Sequence, residues 1–208
     1  MSRVHAVLVV MSAVLGLAAA GVDLRAASAA ARLESAIEGA GDYIAAPDLA
    51  NRIVRGDGAL RVIDLRSRRE YEQLHIASAA HVAFDDLAHE PFPPDATIVL
   101  YADGGTDAAR GWRLLRERGH QHVAVLREGL YEWIARVLEP RLASDASAAE
   151  QAEFARAADT SRFFGGMPIA GVARADVPTG YWTGGHQGQS PRAGRAKQAI
   201  ASIRRRGC

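Results

Sequence analysis

An α/β fold with a largely parallel sheet is the architecture that this sequence predicts. Between Asp42 and Leu142, short apolar runs typical of buried strands alternate with helical patterns over about 100 residues. The clearest unit runs from Ala96 to Gly119, where an apolar run, a glycine-bearing turn and a helical pattern follow one another. With 208 residues, of which 49% are hydrophobic, the chain can build one domain of ordinary size and extra segments.

Five strands and four helices are predicted in this region. The strands are Tyr43–Ile44, Leu60–Leu65, Ala80–Ala83, Ile98–Tyr101 and His122–Leu126, and the helices are Pro47–Val54, Arg68–Leu74, Ala108–Arg118 and Gly129–Leu138. Pro47 suits a first helical position, whereas Gly119 and Pro140 stop the two later helices. Trp112 and Trp133 lie in these helices, and we expect both to pack against the sheet.

The composition changes on both sides of this region. We predict a signal peptide or single membrane anchor over residues 1–25, a linker over 26–41, the α/β domain over 42–143, a C-terminal helix over 144–166 and a flexible basic tail over 167–208. Ser144 or Asp145 is the expected cap of the C-terminal helix. From Met167 to Gly194 the chain is rich in Gly, Pro, Thr and Ser, which predicts little fixed structure.

The amino-terminal segment predicts export. Val4–Val22 contains no Asp, Glu, Lys or Arg and is close to the roughly 20 residues that span a bilayer. Small residues that fit a cleavage site follow it, so cleavage and anchoring both stay open. Arg3 before the segment and mixed charge after it place the body of the protein outside. The expected location is periplasmic, or membrane-anchored and facing the periplasm.

Charge and cysteine content exclude several functions. The formal net charge is +1, so nothing drives the whole chain toward nucleic acid, and no nucleic-acid partner is expected. Basic residues are concentrated at the end of the chain, at Arg192, Arg195, Lys197, Arg204, Arg205 and Arg206. The one cysteine is Cys208, which excludes an internal disulfide and a cysteine-rich metal site. We expect no metal and no cofactor.

The loop after the fourth strand is the candidate site, because sites in parallel sheets lie at the carboxyl ends of strands. It consists of Ala102, Asp103, Gly104, Gly105, Thr106 and Asp107. A loop between a strand and a helix N-terminus attracts anions, but Asp103 and Asp107 have the opposite effect. One interpretation is that Thr106 caps the helix and Asp107 meets its positive end. The other is an Asp103/Asp107 cation site.

Four motifs in order resemble the rhodanese domain family. They are Val62-Ile63-Asp64-Leu65-Arg66, the segment from Glu70 to Ala79 (EYEQLHIASA), Val99-Leu100-Tyr101-Ala102, and the segment from Leu126 to Trp133 (LREGLYEW). The resemblance covers about half the chain and implies a small parallel five-stranded sheet with helices on both faces, the fold of sulfurtransferases. Asp64, Arg66, His75 and Tyr101 would then line the pocket. For Asp64 and Arg66 the alternative is hydrogen bonding to neighbouring loops, and we expect His75 to be a hydrogen-bonding residue, not a base.

The departures from this family bear on function. The family's nucleophilic cysteine aligns with Ala102 and its loop arginine with Asp107, while family glycines align with Leu74, Ser78 and Glu128. The resemblance therefore implies a degenerate active-site loop with no catalytic residue. We expect a binding or regulatory module with an unknown protein partner, and a membrane contact if the leader is uncleaved.

The alternative is a sulfurtransferase or thiol redox protein that uses Cys208. Arg204, Arg205 and Arg206 would lower the pKa of this candidate thiol and favour its thiolate.

Overall fold

A computed structural model of the chain describes residues 28–29, 31–39, 41–103 and 105–177. The chain divides into two units, residues 1–41 and residues 42–208. In the first unit, residues 31–39 are helical. The elements named below all belong to the second unit.

A five-stranded sheet forms the centre of the second unit. Its strands are β1 (Tyr43–Ile44), β2 (Leu60–Asp64), β3 (Ala80–His81), β4 (Thr97–Tyr101) and β5 (Val123–Leu126). Their order is β1-β5-β4-β2-β3, and every pairing is parallel. The predicted five-stranded parallel sheet is confirmed. The register pairs Asp64 with Tyr101, so the last residues of β2 and β4 lie side by side.

Helices cover both faces of this sheet. They are α1 (Ala46–Val54), α2 (Arg68–Gln73), α3 (Gly105–Glu117) and α4 (Gly129–Glu132), and α4 continues as a π-helical segment, Trp133–Leu138. Val99 of β4 is buried with Leu49 of α1 and Trp133. Successive strand side chains point to opposite faces. Leu100 accordingly packs on the other face, against Gly111 of α3. A Cβ added at Gly111 would lie 3.1 Å from Leu100 Cδ1.

Helix α3 begins three residues before the predicted start at Ala108. Thr106 is therefore the second residue of the helix and not its cap, so that prediction was wrong. Asp107 does lie in the first turn, as expected. Ala108, Ala109 and Trp112 are buried, and packing of this face outweighs the low helix propensity of Gly105 and Thr106.

The carboxyl-terminal part is more ordered than the composition predicted. Strand β6 (Arg141–Ala143) pairs in parallel with β7 (Ile169–Val172), and a 3₁₀ turn, Arg174–Asp176, follows. The prediction of little fixed structure from Met167 is wrong for these elements, because backbone pairing with β6 holds them. The sequence gives no periodic signal for two strands this short.

The C-terminal helix α5 spans Ala148–Phe163. Its cap is Ser147, not Ser144 or Asp145. The Glu150 backbone N–H donates to Ser147 Oγ at 3.3 Å, and Ser147 N donates to Glu150 Oε2 at 2.8 Å. This reciprocal pair is a capping box, which satisfies two helix-end donors and fixes the start of the helix.

Within the described ranges, no helix combines the length and apolar character needed to cross a membrane. Val4–Val22, the basic residues of the tail and Cys208 lie outside the described residues.

Glu132 links α4 to the start of α1. Its Oε2 accepts a hydrogen bond of 3.2 Å from the Ala46 backbone N–H, and its Oε1 lies 3.6 Å from Arg136 Nη1. Burial raises the pKa of Glu132 to about 7, against the opposing effect of Arg136. Because this folded-state pKa exceeds the ordinary 4.5, the stabilisation from Glu132 is complete below pH 4.5 and is lost as the pH rises through 7.

Glu132→Gln is therefore expected to flatten the dependence of stability on pH. The free energy of unfolding of the wild type should fall by up to about 3 kcal/mol between pH 4.5 and 8, whereas the variant should lose much less. Urea unfolding at several pH values measures this. Glu117→Gln, at an exposed carboxylate on α3, should keep the wild-type slope. An unchanged slope in Glu132→Gln would contradict the prediction.

Candidate functional site

Ala102 lies directly after β4, at the carboxyl edge of the sheet, and is 5% exposed. Its carbonyl oxygen accepts a hydrogen bond of 2.9 Å from the Leu130 backbone N–H. Gly129 has φ 56°, and a Cβ added there would overlap with the Ala102 carbonyl oxygen and lie 3.1 Å from the carbonyl carbon. The start of α4 therefore contacts the first residue of the loop through a backbone hydrogen bond and a close backbone approach at Gly129.

Asp64 and Arg66 form a buried ion pair beside this loop. Arg66 Nη2 lies 2.6 Å from Asp64 Oδ2, and Arg66 Nε lies 3.0 Å from Asp64 Oδ1. Arg66 Nη2 also donates to the Leu74 carbonyl at 2.6 Å. Burial alone would lower the pKa of Arg66, but the bonds to Asp64 raise it above its ordinary value. The Arg66 side chain thus hydrogen-bonds a neighbouring segment, whereas the Asp64 carboxylate bonds Arg66.

Tyr101 completes this buried group. Its hydroxyl oxygen accepts a hydrogen bond of 3.1 Å from the Ile76 backbone N–H, and its side chain is fully buried. Burial, followed by the nearby charge of Asp64, raises the pKa of Tyr101 far above its ordinary value. The phenol therefore stays protonated and joins the end of β4 to the segment before β3.

Asp103 lies beside Arg66, and its side chain is partly exposed to solvent. Its carboxylate Oδ1 lies 3.4 Å from Arg66 Nη1, and its side chain is 39% exposed. Burial raises the pKa of Asp103, Arg66 opposes this, and the like charge of Glu70 raises it further. Burial also raises the pKa of Tyr131, and Asp103 and Glu70 add to that shift. We call Arg66, Glu70, Asp103 and Tyr131 the loop mouth.

Sequence reasoning did not single out Glu70 and Tyr131 as site residues. Both lie inside the motifs that carry the family resemblance, but their closeness to Asp103 depends on how α2 and α4 pack. No local pattern in the sequence reports that packing.

The other predicted site residues have partners elsewhere. His75 Nδ1 is 2.9 Å from the Tyr71 carbonyl oxygen, and its ring stacks on Tyr71 at a centroid distance of 4.1 Å. Asp107 is exposed and pairs with Arg110 at 3.3 Å. Asp103 and Asp107 thus lie against different arginines, and Asp103 shares Arg66 with Asp64. In the part of the chain that the structure describes, no group of three or more His, Cys, Asp and Glu residues could hold a metal ion.

Comparison with known proteins agrees with this architecture. The family model described as "Rhodanese-like domain" matches residues 45–136. These residues are a rhodanese-like domain. The resemblance carried by the four sequence motifs is confirmed, and so is the fold that it implied.

Solved structures similar to the rhodanese-like domain come from several organisms. The rhodanese-like domain of an Anabaena protein is 29% identical, with 44% of this chain and 72% of that chain covered and a TM-score of 0.41. The human single-domain sulfurtransferase is 19% identical, with coverage of 45% and 95% and a TM-score of 0.40. A rhodanese-related protein of Thermoplasma volcanium is 23% identical, with coverage of 44% and 89% and a TM-score of 0.39. No curated protein matches the chain.

Two positions where the rhodanese-like domain departs from family glycines have left-handed backbone. Ser78 has φ 70° and Glu128 has φ 53°. Left-handed backbone favours glycine, because other residues meet a steric penalty there. The third position, Leu74, has φ −165°, which is ordinary extended backbone. Ser78 and Glu128 therefore adopt left-handed backbone without being glycines.

Proposed function

We propose that this chain is an exported protein whose rhodanese-like domain binds a protein partner and does not transfer sulfur. The observation that supports the proposal is Ala102. A buried methyl group follows the central strand at the position where the family resemblance expects the nucleophilic thiol.

Sulfur transfer by this fold needs a thiolate that attacks a sulfane sulfur and carries it as a persulfide. A methyl group forms no such bond. Asp103, the residue after Ala102, carries a carboxylate, and the loop mouth adds the guanidinium of Arg66 and the phenol of Tyr131. A phenol of ordinary pKa is protonated at neutral pH, and burial raises the pKa of Tyr131 further. None of these groups replaces a thiolate.

The charge at the loop mouth also opposes an anionic donor such as thiosulfate. Two carboxylates, those of Asp64 and Asp103, lie within 3.4 Å of the Arg66 guanidinium, and Glu70 adds a further negative charge that acts on Asp103. Two like unit charges about 4 Å apart repel by about 1 kcal/mol in water and by about 4 kcal/mol at an intermediate dielectric. This supports a role in which the mouth contacts a partner and not a sulfur anion.

Loading with thiosulfate tests the proposal against the alternative that uses Cys208. After incubation and desalting, the intact mass of the wild type should show no added sulfur. A sulfur adduct that is lost in Cys208→Ser and that is passed on to cyanide would replace this proposal with the alternative. Mass measurement under non-reducing conditions is required, because reductants remove persulfides.

Export is the second part of the proposal, and it is supported by the uncharged apolar run Val4–Val22. Fractionation of cells that express the full chain should place it in the periplasm or in the membrane. The intact mass of that fraction then distinguishes a cleaved leader from a retained anchor. Recovery of the uncleaved chain from the cytosol would contradict export.

A further inference from the structure

We propose that the Asp103 carboxylate is a built-in occupant of the loop mouth, held against Arg66, and that it closes this site to oxyanions. The inference concerns the site of the proposed function and rests on it, since it specifies which ligands a binding module of this kind excludes. On this inference Asp103 determines which ligands the loop mouth rejects. The absence of a thiol at Ala102 does not by itself call for such a role.

Arg66 is a rigidly held cation at the base of the mouth. Its side chain is 6% exposed, and its Nε and Nη2 atoms are bound by Asp64 and by the Leu74 carbonyl. The remaining terminal nitrogen, Nη1, faces Asp103. Because Nε and Nη2 are already bonded, the Arg66 side chain does not have to be ordered when Nη1 binds a ligand. A charged N–H donor that is held in place in this way favours binding of an oxyanion.

The Asp103 carboxylate lies against Arg66 Nη1, but this ion pair is a weak one. Its 3.4 Å separation from Arg66 Nη1 exceeds the 2.6 Å between Arg66 Nη2 and Asp64. Its carboxylate is partly buried, and the like charges of Glu70 and Asp64 oppose it. Arg66 is the cation that offsets these effects. Asp103 therefore blocks Arg66 without being strongly bound to it.

Neutralising Asp103 should open the site. Asp103→Asn keeps the shape of the side chain but removes its charge, so that a sulfate approaching Arg66 Nη1 competes with a neutral amide and not with a carboxylate. Asp107→Asn is the matched control, because it removes one carboxylate four residues further along, in the first turn of α3. Asp107 is 59% exposed and pairs with Arg110, so its loss does not release Arg66. The comparison separates release of Arg66 from a general change in charge.

The experiment titrates full-length wild type, Asp103→Asn and Asp107→Asn with sodium sulfate at constant ionic strength, and follows the Arg66 Nε–H resonance by NMR. We expect Asp103→Asn to bind sulfate at least about tenfold more tightly than the wild type and Asp107→Asn. Equal binding by all three proteins, or an equal gain in both variants, would overturn the inference. Asp103→Ser provides a second test if the asparagine variant does not fold. Sulfur turnover by the wild type would overturn the proposed function but would leave the difference between these variants intact.

Discussion

Gly129→Ala is expected to destabilise the rhodanese-like domain by about 3–5 kcal/mol, a large part of the 5–15 kcal/mol typical of a folded domain. A Cβ at this position would overlap with the Ala102 carbonyl oxygen and lie 3.2 Å from the Asp103 carbonyl oxygen. Both are backbone atoms, so neither moves away as a flexible side chain would. The substitution also forces an alanine into φ 56° and breaks the hydrogen bond from Leu130 N–H to Ala102.

Urea unfolding followed by circular dichroism measures this loss. Gly56→Ala is the matched control, because Gly56 has φ 68° and no atom within 4 Å of an added Cβ. Gly56→Ala therefore measures only the cost of placing an alanine in left-handed backbone, which is about 1–2 kcal/mol. If both variants lost the same stability, the close contact between Gly129 and Ala102 would not be an important restraint on the loop.

Asp64→Asn is expected to cost about 3–5 kcal/mol, because it leaves the buried guanidinium of Arg66 without its main counter-charge. Asp64 is fully buried, and Arg66 cannot turn to water without giving up its hydrogen bond to the Leu74 carbonyl. The same substitution removes a charge that faces Tyr101. We expect the ends of β2 and β4 and the segment before β3 to loosen together.

An exposed ion pair of similar length provides the control for this variant. Asp159 and Arg162 on α5 are 2.8 Å apart, compared with 2.6 Å for Asp64 and Arg66, but their side chains are 82% and 65% exposed. Asp159→Asn should change the free energy of unfolding by less than about 1 kcal/mol. Thermal and urea unfolding of both variants at pH 7 give the comparison. A loss in Asp64→Asn no larger than that in Asp159→Asn would refute the account of the buried pair.

Much of the fold could be predicted because its strands carry strong local signals. The runs Leu60–Asp64 and Thr97–Tyr101 are rich in β-branched and other apolar residues, and all five strands lie where the sequence placed them to within a few residues. Strands β6 and β7 were missed because they have three and four residues and pair across α5. Their pairing depends on a long-range contact that periodicity does not report.

The same limit applies to the site. Asp64 and Arg66 are two residues apart at the end of a strand, so their association was visible in the sequence. The partner of Asp103 is 37 positions away along the chain, and the fit of Gly129 against Ala102 depends on how α4 docks. Thr106 was misassigned as a cap because packing of the buried face of α3 extends the helix into the loop. The position of the loop could thus be predicted from local sequence patterns, whereas its neighbours depend on tertiary packing.

The most direct test of the central claim is sulfur transfer from thiosulfate to cyanide by the purified full-length chain, measured for the wild type and for Cys208→Ser beside an active rhodanese. Because Ala102 puts a buried methyl group at the position where the family resemblance expects the attacking thiol, we predict a rate no higher than the uncatalysed background for both proteins. Turnover that persists in Cys208→Ser would contradict this account, because a chain without any thiol would then be transferring sulfur.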